Sequence, residues 1–204
     1  FNSLLSAQVP KTGVVAASGG NHGAAVAFAA TTLGYPAHIF VPKIAGKTKI
    51  DLIKNTGAEL TIVEGAYANA LIAAEKFEQE TGAMQVHAFD SVETTCGQGT
   101  LMHEWEQQGL EADTILIAVG GGGLIAGVAL AVKSINSKCQ VIGVEPERCA
   151  SWSAAVKAGK PVPVNSLATL ADGLAVTTVG SNAFEIAEKL IDDVVTVSES
   201  SIAL

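Results

Sequence analysis

The chain has 204 residues, 49% of them hydrophobic and only 5% aromatic, with a formal net charge of −8 and Arg148 as its sole arginine. That is enough apolar material for one large core or two smaller ones, and an acidic surface with scattered lysines argues against nucleic acid and anionic membranes as partners. The abundance of Ala, Val, Ile, Leu and Gly over aromatics is the bias of parallel sheets covered by helices.

In chain order, Phe1-Asn2-Ser3-Leu4-Leu5 has helical texture without an initiator methionine, and the far end, Ser200-Ser201-Ile202-Ala203-Leu204, has no capping signal. Both suggest a segment of a longer polypeptide. Strands are predicted over 12–17, 37–41, 59–63, 85–87, 114–119, 140–144 and 194–197. Helices are predicted over 21–33, 46–55, 66–81, 97–108, 124–133, 151–158 and 181–190. Val- and Ile-rich strands, each followed by an Ala-rich helix, imply βαβ units and a mostly parallel sheet. A seam is expected near Phe89-Asp90-Ser91, and Lys160-Pro161-Val162-Pro163-Val164 reads as an extended surface connection. The uncharged run 114–132 is interrupted by four glycines and reads as strand, loop and helix rather than as a membrane span. Cys96, Cys139 and Cys149 are odd in number, widely spaced and free of any C-x-x-C pairing. They read as reduced thiols used for packing, and with no secretory pattern in the first residues the expected location is cytoplasmic.

Two turns carry the chemistry. Ser18-Gly19-Gly20-Asn21-His22-Gly23 joins a strand to a helix, where the unpartnered N–H groups of the first helical turn and the helix dipole favour an anion. Ser, Asn and His side chains add directed hydrogen bonds to that hole. Gly120-Gly121-Gly122-Gly123 makes the same transition before Leu124-Ile125-Ala126-Gly127, and four residues without side chains let several amides converge on one phosphate. Read alone, Gly121-Gly122-Gly123-Leu124-Ile125-Ala126 also satisfies G-x-G-x-x-A, with Glu145 where a ribose-binding acid belongs, so a dinucleotide-binding oxidoreductase is the rival reading. Two anion-binding helix starts in one chain favour a phosphorylated cofactor together with a substrate carboxylate.

The Ser18–Gly23 segment resembles the S-x-G-N-H-G loop of the fold-type II pyridoxal-phosphate enzymes, in particular the threonine/serine dehydratase and serine racemase family. Further segments fit in the same order: Lys49 with Gly57-Ala58-Glu59, Phe89-Asp90, Gly97-Gln98-Gly99-Thr100, the tetraglycine turn, Val144-Glu145-Pro146 and Thr169-Leu170-Ala171-Asp172-Gly173. The resemblance implies an α/β fold of two three-layer αβα domains with mostly parallel sheets, similar to the tryptophan synthase β chain. It divides the chain into the end of a large-domain segment (1–12), a small domain (13–92) and a truncated large domain (93–204).

The resemblance also implies the roles. Gly120, Gly121, Gly122, Gly123 and the Leu124 amide would hold the phosphate of pyridoxal 5′-phosphate, Asn21 would bond its 3′-hydroxyl and Gly173 would flank its ring. Ser18, Gly19, Gly20 and His22 would grip the carboxylate of a small amino acid. His38, His87 and His103 receive no role, Asp90 is read as a turn cap, and Lys43, Lys47 and Lys49 as a solvated basic patch. In this family the Schiff-base lysine sits in an S-F-K-x-R-G-A motif, and none of the eleven lysines here has that context. The lysine is expected upstream of Phe1, so the segment contains no catalytic residue of its own. The family's divalent-cation site leaves Glu145 as one ligand, but Ser151 stands where a second acid belongs, so no metal is expected. A homo-oligomer, a dimer, is the implied assembly.

The implied reaction is a lyase reaction: dehydration of L-threonine, L-serine or a related β-hydroxy amino acid to a 2-oxo acid and ammonia. Racemisation, the alternative on the same fold, needs a second acid/base, and serine racemases carry it as a serine at the position of Gly19. A glycine has no proton to transfer, so elimination is favoured. The missing side chain also suggests room for a bulkier substrate.

Overall fold

The computed structural model describes residues 1–203 and divides into two compact units, Phe1–Ala88 and Phe89–Leu204. Every strand pairing in both is parallel.

The first unit opens with α1 (Asn2–Ser6), followed by β1 (Val14–Ala17), α2 (Asn21–Thr32), β2 (Ala37–Pro42), α3 (Lys47–Lys54), β3 (Glu59–Val63), α4 (Tyr67–Thr81) and β4 (Met84–Gln85). Its sheet has the order β3-β2-β1-β4. Side chains alternate across a strand, so β1 serves two cores. Val14 and Ala16 join Ile39 and Val41 of β2 under α2 and α3, with Val26, Ala27, Ala30 and Ile53. Val15 and Ala17 join Phe40 and the Ala70 and Ala74 face of α4 on the other side. Strands with both faces buried lose polar alternation, which is why β1 reads as an unbroken apolar run. The chain winds from β1 to β2 to β3 on one side and then returns to place β4 against the opposite edge of β1. A sheet that reverses its winding direction there opens a crevice beyond the carboxyl end of β1, the place where α/β sheets bind ligands. The Ser18–Gly23 turn leaves β1 at that end.

The second unit contains α5 (Val92–Gln107), β5 (Thr114–Ala118), α6 (Gly123–Ile135), β6 (Gln140–Pro146), α7 (Ser151–Ala158), α8 (Ser181–Ala187), β7 (Asp193–Val197) and α9 (Glu199–Ile202). Its sheet has the order β5-β6-β7. Ile115, Ile117, Val119 and Val141 pack with Ile125, Val128, Ala129 and Val132 of α6, with Trp152 of α7, and with Ala183, Phe184 and Ala187 of α8. Burial along β5 alternates, and Leu116, on the face turned away from this core, is 68% exposed.

Helix α5 begins five residues earlier than the predicted start at Gly97. The Ser91 hydroxyl accepts from Thr94 N at 3.1 Å, and Glu93 lies in the first turn, a capping arrangement that outweighs the two internal glycines. Those glycines have another use. A methyl on Gly99 would lie 2.9 Å from Gly127 O, and one on Gly127 would lie 2.7 Å from Gly99 N and closer still to Thr95 O. Helices α5 and α6 therefore cross backbone to backbone. The unpredicted α9 is a single turn capped by Ser198, whose hydroxyl accepts from Ser201 N at 3.2 Å. The three cysteines are free thiols, Cys96 exposed and Cys139 and Cys149 buried. Among the described residues no helix is long and apolar enough to cross a membrane.

The helix crossing yields an expected outcome. In the intact protein Gly127→Ala should destabilise by about 1–3 kcal/mol, because the methyl meets backbone that can move only by separating the two helices. Urea unfolding of the variant measures it, and an unchanged midpoint would contradict the close crossing.

Candidate functional site

In the first unit the turn after β1 is held rigidly. Ser18 is buried, and its N–H donates to Phe40 O of β2 at 3.0 Å. Its hydroxyl accepts from Gly20 N at 3.1 Å, which leaves the hydroxyl hydrogen for a ligand. The amides of Gly19, Asn21, His22 and Gly23 donate to no group among the described residues, as expected for the first turn of a helix. Gly23 is fixed by its surroundings, since a methyl there would lie 2.7 Å from Ser18 O. Asn21 is exposed at the first position of α2.

His22 points away from its own helix start. Its Nε2 donates to Val86 O at 2.9 Å, just beyond β4, so the imidazole ties the turn across the crevice beside β1. Burial lowers its pKa from the ordinary value, opposed by that hydrogen bond and assisted by the nearby His87. A carbonyl can only accept, so Nε2 carries the hydrogen in the neutral ring and Nδ1 is left as acceptor.

The position of Gly19 differs from what the sequence suggests. A side chain there would not extend into free space: an added methyl would meet Ala45 Cβ at 2.5 Å and Pro42 Cδ at 3.3 Å. The room inferred for a bulkier substrate is filled by the segment after β2.

In the second unit the tetraglycine turn has no space for any side chain. A methyl on Gly120 would lie 3.0 Å from Leu174 Cα, one on Gly122 2.7 Å from Trp152 Cζ3, and one on Gly123 2.5 Å from Phe89 O, while one on Gly121 would overlap the Phe89 ring. Gly122 also has φ +94°, a left-handed conformation that L side chains rarely adopt. The amides of Gly120, Gly121, Gly122, Gly123 and Leu124 donate to no group among the described residues, and they open a helix of 13 residues. Free amides at a helix start, on a turn that accepts no side chain, fit a phosphate group. Gly173 lies in a short 3-10 turn, Asp172–Leu174, whose Leu174 backbone rests on Gly120.

Two carboxylates in this unit are seated on helix starts, Asp90 as the cap it was read to be, though on a distant helix. Asp90 caps α8 from a distance, accepting from Ser181 N at 3.0 Å, Asn182 N at 2.9 Å and Ala183 N at 3.2 Å. The preceding Gly180 donates to Gly121 O at 2.9 Å. No local pattern announces a cap whose partners lie about ninety positions away. Glu145 is fully buried and accepts from Trp152 N at 2.6 Å and from Ser153 N and Oγ at 3.0 and 2.7 Å.

That geometry bears on both roles considered for Glu145. Both oxygens accept from the start of α7 and the carboxylate is fully buried, the setting of a helix anchor rather than of a group presented to a cation or a ribose. Ser151 brings no second charge, the Cys149 thiol faces Leu174 O at 3.5 Å, and among the described residues no group of three His, Cys, Asp or Glu side chains could hold a metal ion.

Comparison with known proteins agrees with this chemistry. Residues 2–204 match the family described as pyridoxal-phosphate dependent enzyme. The chain is 40% identical over 199 residues to the L-threonine ammonia-lyase of Thermotoga maritima, covering 98% of this chain and 50% of that protein. It is 36% identical over 204 residues to the phenylserine dehydratase of Ralstonia pickettii, covering 99% and 62% respectively. The solved structure of maize serine racemase superposes with a TM-score of 0.90 at 37% identity, covering 95% of this chain and 58% of that one. The chain spans about half the length of the curated relatives it matches. It belongs to the pyridoxal-phosphate dependent enzyme family.

Proposed function

We propose that the polypeptide containing this chain is a pyridoxal-phosphate dependent dehydratase that converts a small β-hydroxy amino acid, L-threonine, L-serine or a close relative, to a 2-oxo acid and ammonia. The observation that carries the reading is the tetraglycine turn, five free amides on a backbone too closely packed to bear a side chain. In this reading Gly120, Gly121, Gly122, Gly123 and Leu124 bind the cofactor phosphate, Gly173 flanks the ring and Asn21 bonds the 3′-hydroxyl. Ser18 and the amides of Gly19, Gly20, Asn21 and His22 receive the substrate carboxylate, although Gly20 N already donates to the serine hydroxyl. When bound, the cofactor accepts electron density from the α-carbon of an attached amino acid, which makes the α-proton removable. A carboxylate fixed by a rigid helix start sets the direction of the Cα–H bond, the positioning that such chemistry requires.

In this reading the chain contributes binding and orientation, and the position where serine racemases carry the second acid/base is Gly19. Gly19 has no proton to give, and Ala45 and Pro42 fill the space a serine side chain would need. Elimination therefore needs only the one base that the rest of the polypeptide is proposed to supply, the lysine expected ahead of Phe1. The relatives' printed activities, L-threonine ammonia-lyase and phenylserine dehydratase, support the same reaction class.

Incubating the intact protein with L-threonine, L-serine and a β-phenylserine should release a 2-oxo acid and ammonia in equal amounts from at least one of them. Formation of the D-amino acid without oxo acid would overturn the reading in favour of racemisation. Gly122→Ala should purify without the visible absorbance of bound cofactor, because the left-handed turn and the Trp152 contact both oppose a methyl.

The tether of His22 predicts a pH dependence. Its pKa in the folded turn lies below the ordinary 6.5, so its stabilising contribution is complete above that value and is lost as pH falls through the lowered folded value. KM for the amino acid should rise on that acid side while kcat changes less. His22→Gln, which cannot titrate, should flatten the acid limb of the KM profile; an unchanged limb would show that the tether does not control carboxylate binding.

A further inference from the structure

We propose that Glu145 is a positioning residue for the phosphate-binding turn, acting through Trp152. Glu145 is the penultimate residue of the central strand β6, and its neighbour Val144 accepts from Val119 N at 2.9 Å, immediately before the tetraglycine turn. Its carboxylate receives three donors from the first turn of α7, two amides and the Ser153 hydroxyl, at 2.6 to 3.0 Å. This anchors α7 to the sheet at one point, because the amides of a helix start have no partners of their own and a buried one left unsatisfied is costly. The second residue of α7 is Trp152, fully buried, with its six-membered ring against the Gly122 backbone and 5.5 Å from the Phe184 ring.

The indole is the wall behind the left-handed residue of the turn. Among the described residues the buried Trp152 Nε1–H finds no acceptor, so what this side chain brings to the turn is the shape of its ring rather than a hydrogen bond. The connected series β6, Glu145, α7, Trp152 and Gly122 therefore transmits the position of the strand to the curvature of the amide nest. Where a carboxylate is seated on a helix start, an amide cannot replace it. A glutamine has one accepting oxygen for the two positions that now accept, and its NH2 would face either Trp152 N–H or the Ser153 donors. The helix start would shift away from that group, Trp152 would recede from Gly122, and the five amides would lose their common focus. The rest of the cofactor, held by other residues, would be affected much less.

This inference rests on the phosphate-binding role proposed for the turn, and the experiment separates the two. In the intact apoprotein, the equilibrium affinities for pyridoxal 5′-phosphate and for pyridoxal, which lacks the phosphate, are measured side by side, with the phosphorus-31 shift of the bound phosphate as a second readout. Glu145→Gln should weaken pyridoxal 5′-phosphate by about ten-fold or more, the consequence of losing one buried charge-assisted bond, while pyridoxal changes by less than about two-fold. The bound phosphorus signal should move towards that of free phosphate ester. A purely structural role would lower the melting temperature and weaken both ligands alike, which would overturn the inference. If Glu145→Gln does not fold, Ser153→Ala keeps both amide bonds and removes only the hydroxyl donor. It should shift the same ratio by about two- to three-fold, and an unchanged ratio overturns the inference equally. A wild-type protein that binds both ligands with equal affinity would instead refute the phosphate-binding role of the turn.

Discussion

The close approach of other groups to the backbone of Gly120–Gly123 governs the second unit. Phe89, Leu174 and Trp152 press on the four residues from three directions, each at a distance that leaves no volume for a methyl group. Such packing fixes the backbone as firmly as side chains fix a core, and it leaves the amides pointing outward with nothing of the chain's own to bind. The packed glycine turn and the elements behind it make sense as one requirement: α7 and α8 are there to hold the walls, and Glu145 and Asp90 are there to hold α7 and α8. Two buried or half-shielded carboxylates are thereby used as helix anchors rather than as reactive groups. Their donors are backbone amides, so the charge is matched by partial charges at a helix start.

The first unit reaches a similar end by topology. Strand β1 lies between β2 and β4, and the reversal of winding at that point opens the crevice into which the Ser18 turn projects. Ser18 is tied to β2 and His22 to the end of β4, so the turn is anchored on both sides of the strand it leaves. A helix start held in this way loses little entropy when it binds a carboxylate, which is the physical content of preorganisation. The filled space beside Gly19 adds a restriction of its own. The turn is shaped by the Ala45 methyl as much as by its own glycine.

Much of this was legible in the chain order of residue types. Strands β1, β2, β3, β5 and β6 were found within about two residues at each end because period and composition are local properties. Both anion-binding turns were visible because each places glycine between a strand and a helix. What remained hidden depends on contacts between residues far apart in the chain. Asp90 looked like a local turn cap, yet its partners are Ser181, Asn182 and Ala183. Glu145 entered the sequence reading only through the rival ribose site and an incomplete cation site, and its oxygens accept from residues seven and eight positions on.

The sequence by itself determined the α/β class, the parallel βαβ order, the two amide-rich turns and, through several motifs in register, the kinship with pyridoxal-phosphate enzymes. These follow from local periodicity, glycine placement and short motifs, which need no neighbour in space to be read. Only the tertiary structure decided that Gly19 faces Ala45, that His22 is a tether across the switch point, that Trp152 backs Gly122 and that Glu145 seats a helix. Each of these is a question of which groups occupy a given volume and which donors reach a given oxygen, and close packing answers it only after distant segments have met.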